Sequence, residues 1–144
     1  MRVIVLLFGV CLVSACNSSN LGGGIYLLEG DRIEDRIVVR CRGKSFNDCV
    51  TGDYLIPRSY HDQFDSNGHY SQYVKEVKSN SAYIIATTIL VKTREKRYWI
   101  ILKTNKPQEV IGPLDKTTFN VELKKNKINL RFFDVSPAAQ DFRF

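Results

Sequence analysis

Ala82-Tyr83-Ile84-Ile85-Ala86-Thr87-Thr88-Ile89-Leu90-Val91 and, beyond a short polar turn at Thr93-Arg94-Glu95-Lys96, Tyr98-Trp99-Ile100-Ile101-Leu102 carry the strongest structural signal in the chain. Alternate side chains of an extended chain share a face. Tyr83, Ile85, Ile89 and Val91 therefore lie on one side of the first run, and Ala82, Ile84, Ala86 and Leu90 on the other. Both runs are apolar on both faces, the pattern of strands in the middle of a sheet that is covered on two sides. Their β-branched and aromatic content agrees. The rest of the domain is expected to be built around this pair.

Downstream, Lys106-Pro107-Gln108 breaks the sheet, Val110-Ile111 reads as a short strand, and Gly112-Pro113 turns the chain. Asp115 stands where an N-cap would, ahead of a helix over residues 116–125 in which Phe119 and Leu123 are four apart on one face. Lys124 and Lys125 suit the negative end of its dipole. Residues 128–135 are apolar enough for a last strand that Ser136-Pro137 ends, and Phe142-Arg143-Phe144 is an aromatic tail.

Upstream, Ile25-Tyr26-Leu27-Leu28 reads as a first strand, stopped by Glu29-Gly30-Asp31. In Arg36-Ile37-Val38-Val39-Arg40-Cys41-Arg42 the alternation puts Ile37, Val39 and Cys41 on one face and Arg36, Arg40 and Arg42 on the other. Residues 43–48 are turn-rich, and Asp53-Tyr54-Leu55-Ile56 before Pro57 looks like a returning strand. From residue 57 to 81 the apolar pattern weakens, so a polar surface loop turning at Asn67-Gly68 is expected there. The fold class that follows is α+β: a small, mostly antiparallel β-sheet with one C-terminal helix packed on a face. Residues 25–144 make one globular domain, a length that can bury a real core.

The N-terminus has its own reading. Arg2, an unbroken apolar run over residues 3–13 and the small Ser14 and Ala15 form the layout of a secretory signal. Its 11 apolar residues fall short of the ~20 that a spanning helix needs. Val13-Ser14-Ala15-Cys16 resembles the lipobox of bacterial lipoproteins. That resemblance implies removal of residues 1–15 as a signal peptide, lipid attachment (palmitate among the acyl chains) at Cys16, and a cell-envelope protein facing the periplasm. If there is an outer membrane, the lack of aspartate at position 17 favours it. Residues 16–24, with Gly22-Gly23-Gly24 in succession, have the composition of a flexible tether that would hold the domain off the bilayer.

Four cysteines are present. With Cys11 in the signal and Cys16 assigned to lipid, Cys41 and Cys49 remain, and in an oxidising compartment they are expected to form a disulfide. The nine-residue loop it closes is worth roughly 2.5 kcal/mol in the chain-entropy model. The formal net charge of +6 comes from basic residues interleaved with acidic ones, which, with export, argues against nucleic acid as a partner.

Two sets of polar residues are candidate surfaces. Arg36, Arg40 and Arg42 form a basic row that could take an anionic ligand or be a solvated strand face. His61, Asp62, Asp65 and His69 crowd together among Tyr60, Tyr70 and Tyr73. The histidine spacing matches no zinc motif, and Asp65-Ser66-Asn67-Gly68 lacks the remaining ligands of a calcium loop, so neither metal nor cofactor is expected. No serine sits in a G-x-S-x-G elbow, and an enzyme is the less favoured class. Tyrosine-rich loops are common protein contact surfaces, while packing onto the domain edge explains these tyrosines equally well.

Tyr98-Trp99-Ile100-Ile101, then Val110-Ile111-Gly112-Pro113-Leu114, a helix containing Phe119 and an Ile56-Pro57 step ahead of the central strands together resemble a family of small, functionally uncharacterised bacterial lipoproteins. The likeness covers about the last two thirds of the domain, and residues 60–80 look long for it. It implies an architecture and a location and is silent on chemistry. The expected function is a lipid-anchored, non-catalytic module binding a protein partner in the envelope. An immunity or inhibitor protein against an envelope-directed toxin or hydrolase is the alternative, and a small hydrolase using Asp62 and Asp65 a distant one.

Overall fold

The apolar runs pair with each other at the centre of a four-stranded sheet. The structure is a computed structural model describing residues 17–132. Its strands are β1 (Asn17–Gly22), β2 (Ile25–Glu29), β3 (Ile37–Ser45), β4 (Asp48–Ile56), β5 (Gln72–Ser79), β6 (Tyr83–Leu90), β7 (Lys96–Leu102) and β8 (Glu109–Leu114). A short helix α1 (Tyr60–Gln63) precedes β5, and α2 (Lys116–Lys125) follows β8. Two four-stranded sheets result, in the orders β1-β2-β3-β4 and β5-β6-β7-β8, with antiparallel neighbours throughout.

The expectation of an α+β fold on a single sheet is thus corrected to a mostly β architecture of two sheets. β6 and β7 pair as Ile84↔Ile101, Ile85↔Ile100 and Ala86↔Trp99. One face of this pair, with Ile84, Ala86, Trp99 and Ile101, packs on Ile25 and Leu27 of β2, Val38 of β3, and Leu55 and Ile56 of β4. The opposite face, with Ile85 and Ile100, is covered by Phe119 and Leu123 of α2 and by Ile128. Two covers for two apolar faces is what the residue pattern demanded.

α2 begins where its cap residue stands. The Asp115 carboxylate accepts from the Thr118 backbone N–H at 2.7 Å and from the Thr118 hydroxyl at 3.2 Å, satisfying a donor that the first turn leaves free. The ring of Phe119 stacks on Tyr98 at 4.8 Å between centroids.

Trp99 fastens the middle. Its indole N–H donates to Thr88 Oγ1 at 2.9 Å in the buried core, and its ring lies against the backbone at Gly112. A Cβ at Gly112 would stand 2.7 Å from the indole, at a φ of 141° that other residues rarely adopt. Gly112-Pro113, read from sequence as a turn, therefore lies inside β8, an edge strand where a proline is tolerated. The Arg58 guanidinium, just past β4, lies 5.9 Å from the Trp99 ring and donates to Val110 O and Gly112 O, joining the end of one sheet to the edge of the other.

Three further expectations are corrected. Residues 17–22 are not a spacer: they form β1, paired from Asn17↔Glu29 to Gly22↔Ile25, and Gly22, Gly23 and Gly24 make the tight β1–β2 turn, all with φ between 65° and 85°. The turn rests on Lys103, which is only 8% exposed and donates its ammonium to Leu21 O at 2.6 Å. Within residues 57–81 the chain forms α1 and β5, and Val74 of β5 is fully buried. Residues 128–132 are not a strand, although Ile128 is buried beneath α2. The rest of that expected strand, the aromatic tail, the signal segment and Cys16 lie outside the described residues.

The first sheet curls. β3 and β4 share irregularities between Val38 and Val39 and on either side of Gly43, and bulges bend a sheet and raise its twist. The two end strands meet: the Ser18 hydroxyl of β1 donates to Asp48 Oδ1 at 3.2 Å and accepts from the Cys49 N–H of β4 at 3.1 Å. A second apolar cluster of Tyr26, Ile37, Val39 and Cys49 fills this sheet's other face.

Phe119→Ala should destabilise the domain by about 3–5 kcal/mol in urea unfolding, whereas Val121→Ala on the exposed side of α2 should stay within about 0.5 kcal/mol. Hydrogen bonds from Thr118 hold the Asp115 carboxyl below its ordinary value. The cap's contribution is therefore present above the unfolded carboxylate pKa and lost as pH falls through the lowered folded value. Urea melts at successively lower pH should show a shallower acid limb for Asp115→Asn, and an unchanged limb would show the cap to be silent.

Candidate functional site

The polar residues singled out from sequence are spent on local structure. Ser59 caps α1: its hydroxyl accepts from the Asp62 N–H at 3.2 Å and donates to the Asp62 carboxylate at 2.8 Å. Asp65 closes the following turn by accepting from the N–H groups of Asn67 and His69 at 2.9 and 3.0 Å. Those bonds, the one from His69 foremost, hold its carboxyl below the ordinary value. His69 Nδ1 lies 3.7 Å from Asp65 Oδ2 with its ring exposed, and His61 packs edge-on against Tyr60. Among the described residues no three His, Cys, Asp or Glu gather so as to hold a metal ion.

The three arginines are each engaged by different partners. Arg36 pairs with Glu29 at 3.1 Å and donates to Lys75 O at 2.7 Å; Arg40 donates to Gln108 Oε1 at 2.7 Å; Arg42 pairs with Asp53 at 2.6 Å. Alternation holds through Ile37, Val39 and Cys41, which share one face while Val38 faces the central core, and it breaks between Cys41 and Gly43, at Arg42. Cys41 and Cys49 are disulfide-bonded, with Cα atoms 5.8 Å apart, and they brace the β3–β4 hairpin near its tip.

The tyrosines divide. Tyr60, Phe64 and Tyr70 stack in a row with centroids 4.7 and 4.8 Å apart, and Tyr60 stays largely exposed. Tyr70 donates its hydroxyl to Asp35 Oδ1 in a short hydrogen bond, which with desolvation raises the Tyr70 pKa. The Tyr54 hydroxyl donates to Gln63 Oε1 at 2.8 Å, and Gln63 is buried. These bonds dock the α1 segment onto the short turn Ile33–Asp35.

What sequence reasoning missed is a cleft of about 470 Å³ over the curled first sheet. Leu28, Ile37, Cys49 and Val50 give it apolar walls, and Glu29, Asp31 and Asp35 give it carboxylates. Glu29 is engaged by Arg36, and Asp35 by Tyr70 and the Arg32 N–H at 3.0 Å. Asp31 has no ion-pair partner among the described residues. Val50 is 62% exposed and Ile33, on the neighbouring turn, 46%. The only sequence trace of the cleft is the acidic Glu29-Gly30-Asp31 break, because its opposite wall comes from β4, some twenty residues later.

No curated protein and no solved structure matches the chain. A family model does, over residues 45–136, a stretch running from the tip of the β3–β4 hairpin through the whole second sheet and α2. That stretch is more than half of the 144 residues. The chain belongs to this family, described as "Protein of unknown function (DUF3997)".

Proposed function

We propose that the protein is a lipid-anchored module of the cell envelope, held at Cys16, that binds a protein partner without catalysing a reaction. The observation that carries the binding reading is the cleft, in which apolar walls formed by Leu28, Ile37 and Val50 stand beside the carboxylates of Glu29, Asp31 and Asp35. A pocket of apolar surface with a few convergent polar groups is the usual form of a recognition site. The segment it fits is one that offers an apolar side chain next to a lysine or arginine. An immunity or inhibitor protein is the version of this reading in which the partner is a toxin or hydrolase.

What weighs against catalysis is the use already made of the candidate acids, since Asp62 and Asp65 are both engaged in turn geometry. The anchor is supported by the order Val13-Ser14-Ala15-Cys16 at the end of an apolar run. Export would also supply the oxidising surroundings in which a Cys41–Cys49 disulfide persists.

Both halves are testable in cells. Palmitate fed to the producing bacterium should label the wild-type chain and leave Cys16→Ser unlabelled; an unlabelled wild type would end the anchor reading. Crosslinking in intact envelopes should capture a partner with the wild-type chain and at least about tenfold less with Val50→Asp or Asp31→Arg, the loss typical of a central contact. Equal capture by all three would remove the cleft from the interface, and no capture above background would sink the binding reading.

A further inference from the structure

Asn17, the first described residue and the one that follows Cys16 in the sequence, already belongs to β1. One peptide bond separates Asn17 from that cysteine, so their Cα atoms are about 3.8 Å apart and a lipid held on the sulfur starts one short side chain further on. Asn17 and Ser18 are not slack chain. They pair with Glu29 and Leu28 of β2, and the Ser18 side chain is bound to Asp48 and to the Cys49 N–H. The start of β1 is thereby fixed beside the turn of the β3–β4 hairpin, with about 7 Å of chain from Cys16 to Ser18 and no more than that from Asp48 to Phe46.

That turn carries an aromatic ring with nothing to pack on. Phe46 is 99% exposed and sits at a φ of 56°, a conformation that hairpin turns normally give to glycine, asparagine or aspartate. Stability of the free domain does not account for the residue, since the ring is unburied and the backbone region disfavours it. Val50, on the same hairpin, is also largely exposed. Basic side chains lie on the same arm: Lys44, two residues before Phe46, has its Nζ 5.3 Å from the Tyr26 ring centroid, and Arg42, paired with Asp53 at 2.6 Å, keeps 72% of its side chain exposed. The disulfide holds the two arms of the hairpin together behind its tip. An aromatic tip flanked by basic side chains is the composition that settles at the boundary between headgroups and acyl chains.

We propose that the tip of the β3–β4 hairpin is a second membrane contact, in which Phe46 enters the same leaflet that holds the lipid on Cys16 while Lys44 and Arg42 face its headgroups. This rests on the anchor reading above and adds an orientation to it. Two contact points side by side seat the domain on the bilayer instead of letting it swing on a tether. The cleft shares Cys49 and Val50 with this hairpin, so it opens close to the membrane surface, and its partner is reached there.

The test uses the full-length, membrane-extracted chain in vesicles of phosphatidylcholine and an anionic lipid, with bromine carried high on the acyl chains as quencher. Trp99 is the only native tryptophan and is buried, which sets the baseline. Phe46→Trp should float with the vesicles, emit further to the blue than in detergent-free buffer, and lose emission about twofold on brominated lipid, as expected for a ring at the acyl boundary. Val121→Trp, exposed on α2 over the other sheet, should float equally and stay unquenched. Flotation of Phe46→Trp without quenching overturns the docking while leaving the anchor intact, whether the ring then meets solvent or another protein. Equal quenching at positions 46 and 121 overturns it too, because the domain then has no fixed seat. Failure of the wild-type chain to float removes the anchor, and the docking with it.

Discussion

The fold depends on one constraint: the β6–β7 pair is apolar on both faces and must be covered twice. Ile84, Ala86, Trp99 and Ile101 find their cover in β2, β3 and β4, and Ile85 and Ile100 find theirs in α2 and Ile128. Neither cover suffices alone, since burial of the other face would be lost to water at about 25 cal/mol for each Å² left exposed. Trp99 is where the layers are keyed together. Its indole is satisfied by Thr88, its ring occupies the space left by the missing side chain of Gly112, and Arg58 bridges from β4 to the carbonyls of β8 across it.

The first sheet follows a different logic. One of its faces belongs to the central core, while the other closes on a small cluster of its own because bulges bend β3 and β4 until β1 and β4 meet. Curling leaves the β3–β4 hairpin projecting with Phe46 at its tip, and it opens a cleft between the β2–β3 connection and β4. The projecting hairpin and the cleft therefore both belong to the first sheet. A disulfide placed across this hairpin ties its two arms together near the tip, with Cys49 buried against Tyr26, Ile37 and Val39.

The polar stretch between β4 and β5 shows how a suggestive composition can be used up by local structure. His61, Asp62, Asp65 and His69 are close in sequence because turns favour such residues: the Asp62 carboxylate accepts from the Ser59 hydroxyl, and that of Asp65 from the backbone of its own turn. The tyrosines among them do more distant work: Tyr70 reaches Asp35, and the chain between them lies against the first sheet's connection. Arg36, Arg40 and Arg42 behave likewise, each drawn to a partner on a different element, so that a row in the sequence becomes three separate tethers.

The amino-acid sequence by itself determined the elements whose signal is local. Continuous apolar runs marked β6 and β7, alternation marked much of β3, Asp115 ahead of Phe119 and Leu123 marked α2, and compartment arithmetic paired Cys41 with Cys49. Only the tertiary structure decided that there are two sheets, that Gln72–Ser79 is a strand, and that Asn17–Gly22 is another. The reason is that a polar segment becomes a strand by lending its backbone donors and acceptors to a neighbour. β1 gains its place from β2 and from Ser18 meeting Asp48 and Cys49 some thirty residues on, and side-chain periodicity does not encode such a partnership.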